Sequence, residues 1–201
     1  MRIITGIYKG RRFDIPRTFK ARPTTDFAKE NIFNVLNGYV DFEECRVLDL
    51  FSGTGSISLE FLSRNCQKVV SVEGDRDHYT FIKQCISKLG TDRSIVIRGD
   101  VFKFLSTCKE KFDIIFADPP YSLPRLKEIP QIILESDILS DKGIFVLEHG
   151  KTNDFSTNPL LIDHRTYGSV HFSLFRRQGI TEEEKEVVEE TPKAFQETAV
   201  P

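Results

Sequence analysis

The sequence predicts an α/β fold built on a mostly parallel sheet, and three observations predict it. From Arg46 onward, short apolar β-branched runs alternate with amphipathic stretches, the pattern of repeated strand-helix-strand units. The apolar run ending in Leu50 passes directly into Phe51-Ser52-Gly53-Thr54-Gly55 and then a helical stretch, which is how a ligand loop begins in such a sheet. After Glu148 the pattern becomes two adjacent strands turned at Gly168, the mark of an antiparallel edge hairpin.

The elements follow in order. Arg2 to Thr5 and Ile7 to Ile15 are short, alternating and Gly-punctuated, so they read as a small N-terminal β-hairpin. A helix follows from Thr25 to about Leu36, with Ala28, Ile32, Val35 and Leu36 on one stripe. Strands are expected at Arg46 to Phe51, Lys68 to Glu73, Ser94 to Arg98, Phe112 to Ala117 and Gly143 to Glu148, then Asp163 to Tyr167 and Ser169 to Phe175. That makes a seven-stranded sheet. Helices fill the gaps at Ser56 to Arg64, Arg76 to Leu89, Val101 to Cys108 and about Pro124 to Ser136. One domain over 1–177 accounts for all of this, with the hairpin element at 1–23. Positions 178–201 form an acidic tail, read as a frayed or flexible appendage.

With 201 residues the chain suits one core. No apolar run is long enough to cross a bilayer, and Cys45, Cys66, Cys85 and Cys108 lack the spacing of a metal ribbon or redox motif. A monomeric cytoplasmic protein with reduced thiols and no metal or membrane partner is the expectation. The formal charge of -2 conceals an asymmetry. Arg2, Lys9, Arg11, Arg12, Arg17, Lys20, Arg22 and Lys29 face only Asp14, Asp26 and Glu30 within the first thirty positions. That segment is a phosphate-facing patch in which Arg11, Arg12 and Arg22 are the expected contacts.

The loop Asp49 to Gly55 leaves helix N-terminal amides free to meet a ligand, and its glycines permit close approach. Alternatively the glycines serve the turn alone. A nicotinamide loop is the sharper competitor, because Gly53-Thr54-Gly55 begins a Gly-x-Gly-x-x-Gly motif and Glu73 lies at the appropriate distance. The third glycine position, however, holds Ser58. Glu73, closing the second strand of the sheet, is suited to accept both ribose hydroxyls of an adenosine cofactor. Asp100 and the amide of Val101 stand at the end of the next strand, near where an adenine would lie.

The fourth strand of the sheet ends in Asp118-Pro119-Pro120-Tyr121. Two prolines donate no backbone hydrogen bond, so the segment leaves the sheet as a rigid turn presenting carbonyl acceptors. An exocyclic base amine is a poor nucleophile, because its lone pair is delocalised into the ring. If Asp118 and the Pro119 carbonyl each accept one N–H, they favour the pyramidal nitrogen and stabilise the charge that develops on methyl transfer. Tyr121 offers a stacking face for an extruded base, and on this view its hydroxyl is dispensable.

These pieces together resemble the RsmD-type ribosomal RNA guanine-N2 methyltransferases, a Class I fold family acting on small-subunit (16S) RNA. The resemblance is carried by Arg2-Ile3-Ile4, Gly6, Gly10-Arg11, Arg22-Pro23-Thr24-Thr25-Asp26, Asn34, the Asp49 to Gly55 loop and Leu59-Glu60. It continues through Leu62-Ser63-Arg64, Glu73, Asp75-Arg76 and Asp118 to Tyr121. It implies a Rossmann-like Class I fold and S-adenosylmethionine held by Asp49, Phe51, Ser52, Gly53, Gly55, Glu73, Asp100 and Val101. It also implies a ribosomal RNA or assembling small-subunit substrate, with Thr24 joining the three arginines as substrate-binding, and Asp118 to Tyr121 at the target amine. The chain departs from the family at Gly74, where a bulky apolar residue usually packs on the adenine. An adenine-N6 methyltransferase is the alternative enzyme, though a separate target-reading domain is missing. A catalytically silent RNA-binding assembly factor is the alternative of another class, and the intact Asp118 to Tyr121 argues against it.

Overall fold

The computed structural model describes residues 1–19 and 25–177. Seven strands form one sheet: β1 (Arg46–Leu50), β2 (Lys68–Glu73), β3 (Ser94–Arg98), β4 (Phe112–Ala117), β5 (Leu139–His149), β6 (Leu161–Tyr167) and β7 (Val170–Phe175). Five helices accompany them: α1 (Asp26–Leu36), α2 (Ser56–Ser63), α3 (Arg76–Leu89), α4 (Val101–Thr107) and α5 (Ile129–Glu135). The strand order is β3-β2-β1-β4-β5-β7-β6. β7 runs antiparallel to both its neighbours, and the other pairings are parallel. The chain crosses from one half of the sheet to the other between β1 and β4, and a crevice opens where such a reversal occurs.

Alternation along the strands sends successive side chains to two cores. Val47, Val69, Ile114, Phe116, Ile144 and Val146 pack on one face with Ile32, Phe33, Leu36, Phe61 and Ile82 of α1 to α3. Leu48, Leu50, Val70, Val72, Ile115, Phe145 and Leu147 pack on the other with Leu105 of α4 and Ile129 and Ile133 of α5. Each fully buried side chain of this kind contributes roughly 1.5–3 kcal/mol. Burial on both faces explains why the parallel strands read as continuous apolar runs. Cys45, Cys66 and Cys85 are free and buried among these residues, and burial pushes their thiols up to about 12, 12 and 11.

Three elements differ from the sequence expectation by more than a residue. β5 starts at Leu139, not Gly143, because Leu139 pairs with Phe112 ahead of a register shift while Ser140 to Lys142 stay extended. β6 likewise begins at Leu161, with a shift before Asp163. The helix expected from Pro124 is a short 3-10 turn at Leu126–Glu128 followed by α5. Pro130 lies in the first turn of α5, where a missing N–H costs nothing but a continuing helix would need one.

The N-terminal runs pair antiparallel, but through the single bridge Arg2–Arg12 rather than as two strands. Hydrogen bonds Ile3 N to Arg11 O (3.0 Å) and Phe13 N to Met1 O (3.0 Å) flank it. Gly6, at φ 90°, turns the chain against α2, and a Cβ there would lie 1.8 Å from the Ser63 carbonyl oxygen. The segment is pinned to α2 by Ile4 N donating to Glu60 Oε1 (2.7 Å) and Ile7 N to Ser63 O (2.7 Å). The acidic tail expected from 178 lies outside the described residues.

Candidate active site

A cleft of about 690 Å³ opens at the C-terminal ends of the parallel strands. Of the residues expected to hold a cofactor or target, Asp49, Phe51, Ser52, Gly53, Glu73, Asp118, Pro119, Pro120 and Tyr121 all line it. β1 delivers Asp49, β2 delivers Glu73, and β4 delivers the Asp118 turn, whose amide donates to Leu50 O at 3.3 Å. Phe51 adopts φ 57°, a left-handed backbone that a bulky side chain takes only under constraint from its surroundings.

The Glu73 carboxylate is oriented by two backbone amides. Gly53 N donates to Oε2 at 2.6 Å and Asp75 N to Oε1 at 2.8 Å. Each carboxylate oxygen has a second lone pair, so the group remains able to accept two vicinal hydroxyls. Asp49 is buried, and Ser58 Oγ, itself 2.7 Å from Ser71 Oγ, donates to its carboxylate. Burial pushes the Asp49 carboxyl up to about 7, against the opposing effect of the Ser58 hydrogen bonds. Ser58 therefore occupies the third glycine position with a structural task of its own.

Gly55 and Asp100 are placed differently from expectation. Gly55 does not line the cleft. It caps α2 at φ 76°, and a Cβ there would meet Ile82 Cγ1 at 2.9 Å, so its bareness serves the approach of α3. Asp100 turns its carboxylate back to Lys103 N (2.8 Å) as the N-cap of α4 and is exposed, while Val101 packs into the core. Neither lies on the cleft wall, because a helix starting directly after β3 draws the capping side chain to its own amides. Arg22 and Thr24 lie outside the described residues. Arg11 is exposed and its Nη2 donates to Lys88 O at 2.8 Å, and Arg12 is exposed beside it. Lys29, counted in the basic patch by sequence, is fully buried, with Nζ 3.1 Å from Glu60 Oε1 and 2.7 Å from Arg2 O.

Glu148 was not singled out by sequence. It is the penultimate residue of β5, lines the cleft, and accepts the Tyr121 hydroxyl at 3.1 Å, a partner the sequence reading did not foresee. Asp118 hydrogen-bonds to Glu148, and desolvation first, then the Glu148 and Asp49 charges, holds its carboxyl well above the usual carboxylate range. The available signal was the apolar run ending in a carboxylate at the same sheet edge as Asp118. His78, in the first turn of α3, is the other addition: its Nδ1 lies 4.0 Å from Glu73 Oε1 and its ring 4.4 Å from that of Phe19.

The donor set tests which ligand fits. Asp49, Glu73, Asp75, Asp118 and Glu148 line the cleft, and no lysine or arginine does among the described residues. Such a wall suits a cofactor carrying positive charge and a ribose diol, and disfavours the pyrophosphate of a nicotinamide dinucleotide. The wall at Gly74 has room, since a Cβ there would come no closer than 3.6 Å to the Gly99 carbonyl oxygen.

Sheet order and cleft define the class, a Class I S-adenosylmethionine-dependent methyltransferase. The chain belongs to the family described as Conserved hypothetical protein 95, whose model matches residues 1–176. It is similar to the Putative rRNA methyltransferase YlbH of Bacillus subtilis, with 32% identity over 89% of this chain and 100% of that protein. It is also similar to Ribosomal RNA small subunit methyltransferase D of Escherichia coli K12, with 29% identity over 89% of this chain and 90% of that one. Among solved structures, a putative methyltransferase, yhhF, from Escherichia coli superposes with TM-score 0.77 at 28% identity, covering 90% of this chain and 99% of that one.

Proposed function

We propose that this protein, acting as a monomer, transfers a methyl group from S-adenosylmethionine to the exocyclic N2 amine of a guanine in small-subunit ribosomal RNA. The observation that carries the reading is the Asp118 to Tyr121 turn standing in the same acid-lined cleft as Glu73 and Asp49. The names of the two relatives above support ribosomal RNA as the substrate.

When bound, S-adenosylmethionine supplies a methyl group on a sulfonium, ready for attack by nitrogen. Glu73 would take the ribose hydroxyls, and Asp49 would face the cofactor's positive charge. Asp118 and the Pro119 carbonyl accept the two amine hydrogens, aiming the lone pair and stabilising the charge that builds on nitrogen. Tyr121, 43% exposed at the cleft mouth, presents its ring to the base. The exposed cations of the N-terminal segment, Lys9, Arg11, Arg12 and Arg17, are the proposed phosphate contacts, joined by Arg22 and Thr24 from the sequence.

The deciding experiment is to map N2-methylguanine in small-subunit RNA from cells with and without the gene, then to restore it with purified protein. Unchanged methylation in the deletion, with no transfer in vitro, would refute the reading.

A further inference from the structure

Asp118 and Glu148 follow the paired residues Ala117 and Leu147, so the parallel ladder of β4 and β5 sets the two carboxyls side by side. Glu148 is 4% exposed, hydrogen-bonds to the Asp118 carboxyl, and accepts the Tyr121 hydroxyl on Oε1 at 3.1 Å. The Tyr121 ring is held from the other side as well. It lies against Gly150, where a Cβ would come within 2.9 Å of Tyr121 Cδ2. Asp49, on the adjacent strand β1, also acts through its charge to raise the Asp118 carboxyl. The neighbouring His149 is turned away, its ring nitrogens within 3.0 Å of Gly150 O and 2.9 Å of Ser173 Oγ.

We propose that Glu148 is a positioning residue for methyl transfer: its carboxylate ties the amine acceptor Asp118 to the Tyr121 ring, and with Asp118 it forms a proton-sharing pair that receives the proton the amine gives up. The proposal rests on the amine-methylation reading above. Two carboxyls in hydrogen-bond contact away from bulk water hold one proton between them, because two adjacent charges cannot both be sustained there. The resting pair then carries one proton and one negative charge. In the transfer, the nitrogen–methyl bond forms, the sulfur–methyl bond breaks with its electron pair left on sulfur, and one N–H proton passes to Asp118 while the shared proton sits on Glu148. The pair ends neutral with two protons and returns one to water before the next turnover. The same pair explains how an acid held well above the usual carboxylate range can accept a hydrogen bond at neutral pH: the shared proton moves toward Glu148 as the amine arrives.

Glu148→Gln removes the second charge but keeps an acceptor for the Tyr121 hydroxyl. In the ligand-free protein, carbon-13 NMR of labelled Asp and Glu side chains should show the pair losing its last proton well above the ordinary carboxylate range. In Glu148→Gln, Asp118 should titrate at clearly lower pH. In single-turnover transfer, the variant should bind cofactor and RNA within about threefold of wild type, lose at least about tenfold in rate, and lack the alkaline limb, a rise in rate, that loss of the shared proton gives wild type by leaving a stronger acceptor. Tyr121→Phe should keep that limb and raise KM for RNA severalfold. An unshifted Asp118 titration in Glu148→Gln, or an unchanged rate and pH profile, overturns the proposal. A wild-type protein inert on ribosomal RNA would instead fail the parent reading, and the carboxyl titration would still judge the pair.

Discussion

At the scale of single residues, the cleft gives different surroundings to two carboxyls that look alike in the chain, Asp49 and Asp118. In the proposed reaction Asp118 faces the amine, and Asp118→Ala should bind S-adenosylmethionine nearly as wild type while losing about a hundredfold to a thousandfold in single-turnover rate, as removal of a transition-state hydrogen-bond partner does. Unimpaired transfer would show that the chemistry lies elsewhere. Asp49, pushed up to about 7 by burial, should make cofactor binding pH-dependent in the proposed reaction. A cationic ligand favours ionised Asp49, so below that value binding must expel a proton and affinity should fall as the solution becomes more acid. Calorimetry on both sides of neutrality, in buffers of different ionisation enthalpy, would detect the released proton. In the ligand-free protein the sign reverses. Native Asp49 keeps its proton up to about 7, whereas an ordinary aspartate loses it near 3.8. Its contribution to stability is therefore full at acid pH and declines as pH rises through that window.

At the scale of elements, the N-terminal segment, α1 and α2 are joined by a buried ion network. Glu60, wholly buried, pairs with Lys29 of α1 at 3.1 Å and with Arg64 at the end of its own helix, and it also accepts Ile4 N. Lys29 also contacts Arg2 O at 2.7 Å, Ser56 Oγ at 3.2 Å and, more distantly, Asp26 Oδ1 at 3.8 Å. Glu60→Ala leaves Lys29 buried without its principal counter-charge, so it should lower stability by about 3–5 kcal/mol. A denaturant midpoint within error of wild type would contradict this. Gly6→Ala faces both a φ of 90° and the Ser63 carbonyl. It should loosen the segment, seen as faster amide exchange at Ile4 and Ile7, with the main sheet unaffected.

At the scale of the whole molecule, a net charge of -2 is compatible with RNA binding because acid lines the cleft while exposed cations concentrate near the N-terminus. Phosphate contacts release counterions, so RNA affinity should fall steeply with salt. Charge reversal at Arg11 and Arg12 should flatten the slope of log affinity against log salt by about 0.7 to 0.9 per lost contact. The same slope in wild type and the double variant would move the RNA footprint away from this segment.

The sequence alone determined the strand ends and turns. The step from Leu50 into Phe51-Ser52-Gly53, the position of Glu73 and the Asp118-Pro119-Pro120-Tyr121 turn were legible because apolar period, glycine conformation and the missing proline N–H act over a few neighbouring residues. Family motifs spread along the chain added the substrate class to that reading. Tertiary structure decided which groups meet. Glu148 stands beside Asp118 only because β5 pairs with β4, and no local pattern joins residues thirty positions apart. Lys29 looked like one more surface cation until Glu60, from another helix, provided the counter-charge that lets it be buried. Asp100 turned to its own helix for the amide at Lys103, and Gly55 yielded its space to Ile82. In each case the outcome depended on competition between partners distant in sequence, which only the packed chain resolves.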